Sequence, residues 1–321
     1  MCSKMEFVPV TPHVGWCRAA TNIGVIADRL GETHVLYVID SGTSANDGRA
    51  LLALLGNRFP QARLRAVINT HSHADHCGAN GFLRKETGCE VWATHGEAAL
   101  MEVPVLQPSL VYGGSPPAEI AVPRLMAEAC TVDVRLCGGE PIPLGDAVTL
   151  TPIPLPGHYL DMAGFLVADA ATGMTVAFLA DAISGRDALR RYWIQYLYDE
   201  GLCKQSLTRI RSLRADCYVP GHGEAVSEIE GLVELNLLAM LETEAMILDE
   251  LSRPMTAEEV LKAVADRNQI TLHLSQHQLI GSTVRSYLSS MRRDGSVVCV
   301  VQNNRLLWQR AETVSTVIEK C

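Results

Sequence analysis

Thr70-His71-Ser72-His73-Ala74-Asp75-His76 decides how this chain is read. Three imidazoles and a carboxylate crowd into six positions. The residues before them, Arg65-Ala66-Val67-Ile68-Asn69, are short, β-branched in the middle and end in polar residues. That pattern predicts a buried strand. The residues after them, from Cys77 to Lys85, predict a loop feeding a helix. The cluster therefore falls on a strand-to-helix loop, where alternate side chains can be aimed at one point. His71 and His73, two residues apart, can grip one ion. Asp75 and His76 can turn to a second ion beside it. Borderline metals such as zinc accept this mixture of nitrogen and carboxylate. The bland alternative is a polar loop with accidental histidines, and the downstream sequence argues against it.

Three further strands end in candidate ligands. Val148 to Pro154 alternates as a strand and leads to Leu155-Pro156-Gly157-His158-Tyr159. Thr175-Val176-Ala177-Phe178-Leu179 runs into Ala180-Asp181, and Cys217-Tyr218-Val219 runs into Pro220-Gly221-His222-Gly223. Taken singly, His158 and His222 read as hydrogen-bonded loop histidines and Asp181 as a helix cap. Taken with the cluster, they complete two metal sites. Five of the ten histidines are then accounted for.

The ordered set His71-x-His73-x-Asp75-His76, then His158, Asp181 and His222, resembles the metallo-β-lactamase superfamily. Asp40, which ends Val35-Leu36-Tyr37-Val38-Ile39 and precedes Ser41-Gly42, matches an earlier aspartate of that family. The resemblance covers roughly residues 1–230. It implies an α+β protein built as a four-layer αββα sandwich with the metals at one edge. By that likeness His71, His73 and His158 hold a first divalent ion. Asp75, His76 and His222 hold a second, and Asp181 bridges both. Zinc is the expected ion, although iron and manganese tolerate the same donors. Two such ions about 3.5–4 Å apart share one water and lower its pKa towards about 7, making a bridging hydroxide the expected nucleophile. Asp75 is expected to pass a proton as well as to ligate. Asp40 is expected to orient the cluster from behind. No Gly-x-Ser-x-Gly suggests a serine nucleophile instead.

Composition fits a soluble intracellular enzyme. The 321 residues allow one large domain and a small one, and there is no run of eighteen apolar residues. The first residues carry no apolar targeting stretch. Ten cysteines without such a stretch read as reduced thiols, with Cys77 a packed small residue rather than a ligand. This predicts a cytoplasmic protein, with no membrane association. The net charge of −9 disfavours a general nucleic-acid coat. Arg186, Arg190 and Arg191, and then Arg209, Arg211 and Arg214, are the notable cationic runs before the tail, and they read as solvated helix faces.

The interval between His76 and His158 is longer than two strands and two helices need. Residues 101–130, rich in proline and glycine, predict an irregular insertion overhanging the metals. Tyr112, Tyr159, Trp193 and Tyr196 are the candidate pocket residues. Beyond His222 the pattern changes. Val226 to Leu251 has helical spacing and supplies a connecting helix over 231–253. Thr256-Ala257-Glu258-Glu259 predicts a capping box, Ser275 to Met291 a further helix, and Val297-Val298-Cys299-Val300-Val301 with Leu306-Leu307-Trp308 a hairpin about Asn303-Asn304. Residues 254–321 thus resemble a winged-helix-like α/β tail domain. Eight Lys and Arg against six Asp and Glu over that range discourage DNA binding. A packing role, homodimer formation or a cover over the substrate is expected instead.

The function so implied is a dinuclear metal-dependent hydrolase acting on an ester, thioester or lactone of a small molecule. Glyoxalase II has the same seven ligand positions but a different tail. A phosphodiesterase or ribonuclease with RNA as partner is the alternative, and an iron oxidoreductase a second. For the latter, flavin-linked diiron members carry a glutamate where His73 stands and have a flavodoxin-like domain, for which this chain has no candidate.

Overall fold

The computed structural model describes residues 5–311 apart from position 124. Strands β1 (Glu6–Pro9), β2 (Val14–Arg18), β3 (Ile23–Leu30) and β4 (Thr33–Ile39) form an antiparallel meander. Helix α1 (Ala45–Arg58) then crosses over to β5 (Arg63–Ile68), which lies parallel to β4. The short α2 (Ala74–Cys77) and α3 (Asn80–Thr87) lead to β6 (Glu90–Thr94). Helices α4 (His95–Glu102) and α5 (Leu106–Tyr112) lead to β7 (Val134–Leu136). These seven strands form one sheet in sequential order. The second sheet contains β8 (Ile142–Pro143), β9 (Val148–Pro154), β10 (Ala163–Asp169) and β11 (Met174–Ala180). Helices α6 (Arg186–Arg191) and α7 (Glu200–Ser212) precede its last member, β12 (Cys217–Pro220), which pairs parallel to β11.

Strand alternation explains the layers. In β4, Val35, Tyr37 and Ile39 point to the second sheet, where they meet Phe165, Val167, Val176 and Phe178 in the central core. The intervening Leu36 and Val38 point the other way, onto Leu51 and Leu55 of α1 and Leu83 of α3. On the second sheet Ala177 and Leu179 face outward onto Leu207 and Ile210 of α7. The next helix, α8 (Glu230–Glu250), packs on the same face through Leu232 and Val233. Helix, sheet, sheet and helix follow one another, as the resemblance implies.

The chain ends with α9 (Ala257–Arg267), α10 (Leu274–Asp294) and the hairpin of β13 (Val297–Gln302) and β14 (Arg305–Arg310). The expected capping box is present: Thr256 accepts from the Glu259 amide, and Glu259 accepts from the Thr256 amide at 2.7 Å. Asn303 and Asn304 have φ of 50° and 59°, the left-handed pair that a tight two-residue hairpin requires. This unit shares one core with the loop before α7. Ile194 and Leu197 pack among Val260, Val284, Tyr287 and Trp308. Thr283 and Ser286 of α10 also accept the amides of Leu197 and Glu200, at 3.3 and 3.0 Å. The end of the range read as tail, residues 312–321, lies outside the described residues.

Two expectations need correction. Residues 101–130 are not irregular throughout, because α4 runs to Glu102 and α5 occupies Leu106–Tyr112. Pro108 is compatible with α5 because it sits in the first turn, where amides have no intrahelical acceptor. The cluster itself is not all loop either. The amides of His76 and Cys77 both donate to the His73 carbonyl, closing one helical turn over Asp75 and His76.

Candidate metal centre

The site lies where both sheets end, and backbone bonds knit its loops together. The Ser41 amide donates to the His76 carbonyl at 2.7 Å, and the Ala163 amide to the Thr70 carbonyl at 3.0 Å. The Asn22 amide donates to the Gly221 carbonyl at 2.8 Å, and the Gly221 amide to the Ala180 carbonyl at 2.7 Å. Ala180 has φ of 49°, an uncommon conformation for a residue with a Cβ, and it turns Asp181 out of β11.

All seven candidate ligand residues come together. His73 Nδ1 lies 3.0 Å from both His71 Nε2 and His158 Nε2. His222 Nε2 lies 3.2 Å from Asp75 Oδ2, and His76 Nε2 lies 3.8 Å from the same oxygen. Asp181 stands between the two triads. Its Oδ1 is 3.4 Å from His76 Nε2, and its Oδ2 is 3.6 Å from His158 Nε2 and 3.4 Å from His222 Nε2. Donor atoms in each of the sets His71–His73–His158, Asp75–His76–His222 and His71–His76–Asp181 lie within 4.8 Å of one another.

The rear nitrogens of four imidazoles are tethered. His71 Nδ1 is 3.0 Å from Thr70 Oγ1, His76 Nδ1 2.7 Å from Asp40 Oδ2, His158 Nδ1 3.0 Å from the Tyr196 carbonyl, and His222 Nδ1 2.8 Å from the Ala20 carbonyl. Each tether leaves Nε2 for the shared centre. Asp40 has φ of 65°, and it also accepts from the Thr70 amide at 2.8 Å. His76 Nε2 and Asp181 Oδ1 are buried and, apart from facing each other at 3.4 Å, have no hydrogen-bond partner. Two buried atoms without hydrogen bonds, facing a ring of nitrogen and carboxylate donors, fit a bound cation, since leaving such groups unsatisfied is costly.

The charges divide in the same way. Burial, helped by the neighbouring imidazoles, holds His71 well below its usual range, and burial with His158 brings His73 down to about 3. Burial also lowers His158. These three are neutral nitrogen donors. Burial works against protonation of His76 too, but Asp181, Asp75 and Asp40 outweigh it and raise the group to about 10. Asp181 raises His222 to about 12 against burial. In return, the imidazoles hold Asp75 and Asp181 below the carboxylate range although burial opposes it.

Tyr159 and Tyr196 both flank His73, with ring centroids 4.2 and 5.4 Å away. They line a cavity of about 520 Å³ beside the cluster, and so does Trp193. Tyr112 does not line it. It is 43% exposed at the end of α5, while Gln107, Pro108 and Val111 on the other side of that helix face the cavity. Cys77 is a packed residue whose thiol donates to the Ser72 carbonyl at 3.2 Å, and burial pushes its pKa up.

The sequence reading missed Glu97 and Gly221. Fully buried Glu97 accepts from the Ser72 amide and hydroxyl at 2.9 and 2.7 Å, and from the Asp161 amide at 2.9 Å. It thereby ties the loop of His71 and His73 to that of His158. Burial pushes its carboxyl up to about 7 against those hydrogen bonds. Gly221 leaves no room for a side chain, since a Cβ there would stand 2.1 Å from Asp181 Oδ1. The Gly-His-Gly string beside β12 was the available signal for Gly221. Glu97 had none.

Residues 18–222 match the family model described as the metallo-beta-lactamase superfamily. A curated hydroxyacylglutathione hydrolase of Hyphomonas neptunium is 30% identical over 117 residues, 36% of this chain and 33% of that protein. The chain thus spans about a third of the length of that relative. Among solved structures, a beta-lactamase domain protein of Burkholderia ambifaria superposes with a TM-score of 0.72 at 17% identity, covering 95% of this chain and 94% of that one. A metallo-beta-lactamase family protein of Thermus thermophilus gives a TM-score of 0.68 at 18% identity, over 95% and 97%. At that identity the likeness is one of fold, and it extends through the C-terminal unit. With about two-thirds of its length matched by the family model, and with that fold, this chain belongs to the metallo-beta-lactamase superfamily.

Proposed function

We propose that this protein is a metal-dependent hydrolase that holds two divalent cations, zinc being the expected ion, and cleaves an ester, thioester or lactone of a small molecule. One observation carries the reading: five imidazoles and two carboxylates converge, with four of the rings tethered from behind so that Nε2 is free. His71, His73 and His158 would hold one cation, Asp75, His76 and His222 the other, with Asp181 shared. When bound, such a pair lowers the pKa of a shared water towards about 7 and polarises the bond under attack.

The chain's own residues supply the rest. Asp75 keeps its carboxylate unprotonated beside His76 and His222, which makes it first a ligand and only a weak base for relaying a proton, and Thr21 Oγ1 donates to it at 3.3 Å. Tyr159, Trp193, Tyr196 and Ile280 exclude water from the bound substrate. The cavity volume of about 520 Å³ suits a small molecule and favours that class over RNA. We read the C-terminal unit as a wall of this cavity, because His273, Gln276, Leu279 and Ile280 line it. Among the described residues no helix is long and apolar enough to cross a membrane.

The test is elemental analysis of protein purified without added metal, followed by a panel of thioesters, lactones and phosphodiesters. About two zinc ions per chain with thioester or lactone turnover is the expected result. Turnover of phosphodiesters alone supports the nuclease alternative, and iron with oxygen consumption supports the oxidoreductase alternative.

A further inference from the structure

Helix α8 is apolar on opposite sides. Leu232, Val233 and Ile247 are buried, while Leu238 and Leu241 are 51% and 52% exposed on the outer face. A helix that is apolar all round is one built to be covered all round. Leu238, Leu241, Ala245 and Leu248 follow one another at steps of three, four and three residues, the spacing of a seam between two helices.

Charge is ordered about that seam. Helix α6 packs alongside α8 and runs in the same direction. Arg186 Nη2 lies 3.8 Å from where a Cβ on Gly231 would stand, and Leu189 shares a small cavity with Asn236 and Ala239. Arg190, one turn after Arg186, therefore flanks the first half of α8. Glu242 is exposed on the second half, one turn from Leu238. Other charges here are matched within the chain: Lys204 with Glu200 and Glu244, Arg211 with Glu230, and Arg267 with Asp249 and Glu250. Among the described residues, Arg186, Arg190, Glu234 and Glu242 have no ion-pair partner.

We propose that this face binds a second copy of the chain, with the two α8 helices antiparallel about a two-fold axis between Leu238 and Leu241. A two-fold contact needs a self-complementary patch. The reversal supplies one, because Leu238 of each copy meets Leu241 of the other. It also lays the first half of each α8 on the second half of its mate. Arg190 of one copy then faces Glu242 of the other, a pair that one copy alone does not make. Such a rim pair fixes register, while the leucines supply the buried surface. Glu234 and Glu242 on the same face disfavour an anionic lipid surface as the cover.

The test is sedimentation equilibrium of metal-loaded protein, with circular dichroism to confirm that each variant folds. Wild type is expected to be a monomer–dimer mixture. Leu238→Glu changes an exposed side chain, so it should weaken the dimer at least tenfold and leave the dichroism unmoved. Arg190→Glu and Glu242→Arg should each weaken the dimer several-fold, and the double variant Arg190→Glu/Glu242→Arg should recover most of that loss. Wild type that stays monomeric at every concentration overturns the proposal, and co-sedimentation of that monomer with phosphatidylcholine vesicles would assign the leucines to a lipid surface. A dimer indifferent to Leu238→Glu also overturns it, since the interface then lies on another face. Weakening by both single charge variants without recovery in the double overturns the antiparallel pairing.

Discussion

His76 Nδ1 lies 2.7 Å from Asp40 Oδ2, and Asp40 is itself held by the Thr70 amide at 2.8 Å and the Thr70 hydroxyl at 2.8 Å. One carboxylate therefore fixes the ring of His76 and the backbone that enters the cluster. Replacing Asp40 with Asn puts an amide donor where an acceptor is needed. Asp40→Asn should weaken metal binding about 10–100-fold, in line with the loss of such supporting partners in other metal sites. Competition with a chromogenic chelator reads this directly, and unchanged metal affinity would show that the contact is dispensable.

His73 is the hub of the three neutral imidazoles, with both His71 and His158 at 3.0 Å. His73→Ala should lose metal and turnover together while circular dichroism stays near wild type. A cation that binds only the folded state adds stability in proportion to the logarithm of its concentration over Kd. Chelation should therefore lower the Tm of the wild type and leave that of His73→Ala nearly unmoved. Full turnover by the variant would refute the ligand assignment.

Gly221→Ala adds one methyl and no charge. With Asp181 Oδ1 at 2.1 Å and His76 Cε1 at 3.1 Å from the new carbon, Asp181 must move. Loss of at least half the bound metal and about 100-fold or more in turnover is expected, because small misplacements at reacting centres cost that much. Wild-type kinetics in this variant would mean that Asp181 has freedom to shift without consequence.

Glu97 links protonation to stability. Its carboxyl is raised from 4.5 to about 7 in the fold, burial being the main cause. Between those values the native state keeps a proton that the unfolded chain releases, so the Glu97 contribution falls as pH rises from 4.5 and levels off above about 7. The change across the window is at most roughly 3 kcal/mol. Glu97→Gln cannot titrate, and it also misplaces one amide against the Ser72 and Asp161 donors. The variant should be less stable at low pH, with the difference from wild type narrowing towards about pH 8. Denaturant melts at several pH values test this; parallel curves for the two proteins would remove Glu97 as the titrating group.

Much of the architecture was legible because its signals are local. Alternation marked β9, short apolar runs marked β11 and β12, the Thr256–Glu259 box marked the start of α9, and Asn303-Asn304 marked the hairpin turn. Other features were not legible for equally physical reasons. The helicity of α5 was masked by Pro108, whose effect depends on its place within the helix. Tyr112 is an aromatic near the site in sequence, but which side of a helix faces a cavity is settled by packing, and Tyr112 faces away.

The sequence by itself determined the inventory of donors and their order, since His71, His73, Asp75, His76, His158, Asp181 and His222 each follow a strand whose pattern is written in its own residues. Only the tertiary structure decided how those donors are held and what surrounds them. Glu97, 25 residues from Ser72, and Ile280, which lines the same cavity as His158, acquire meaning only when the chain brings distant segments together. Burial and electrostatic pairing act through space, and no local spacing records them.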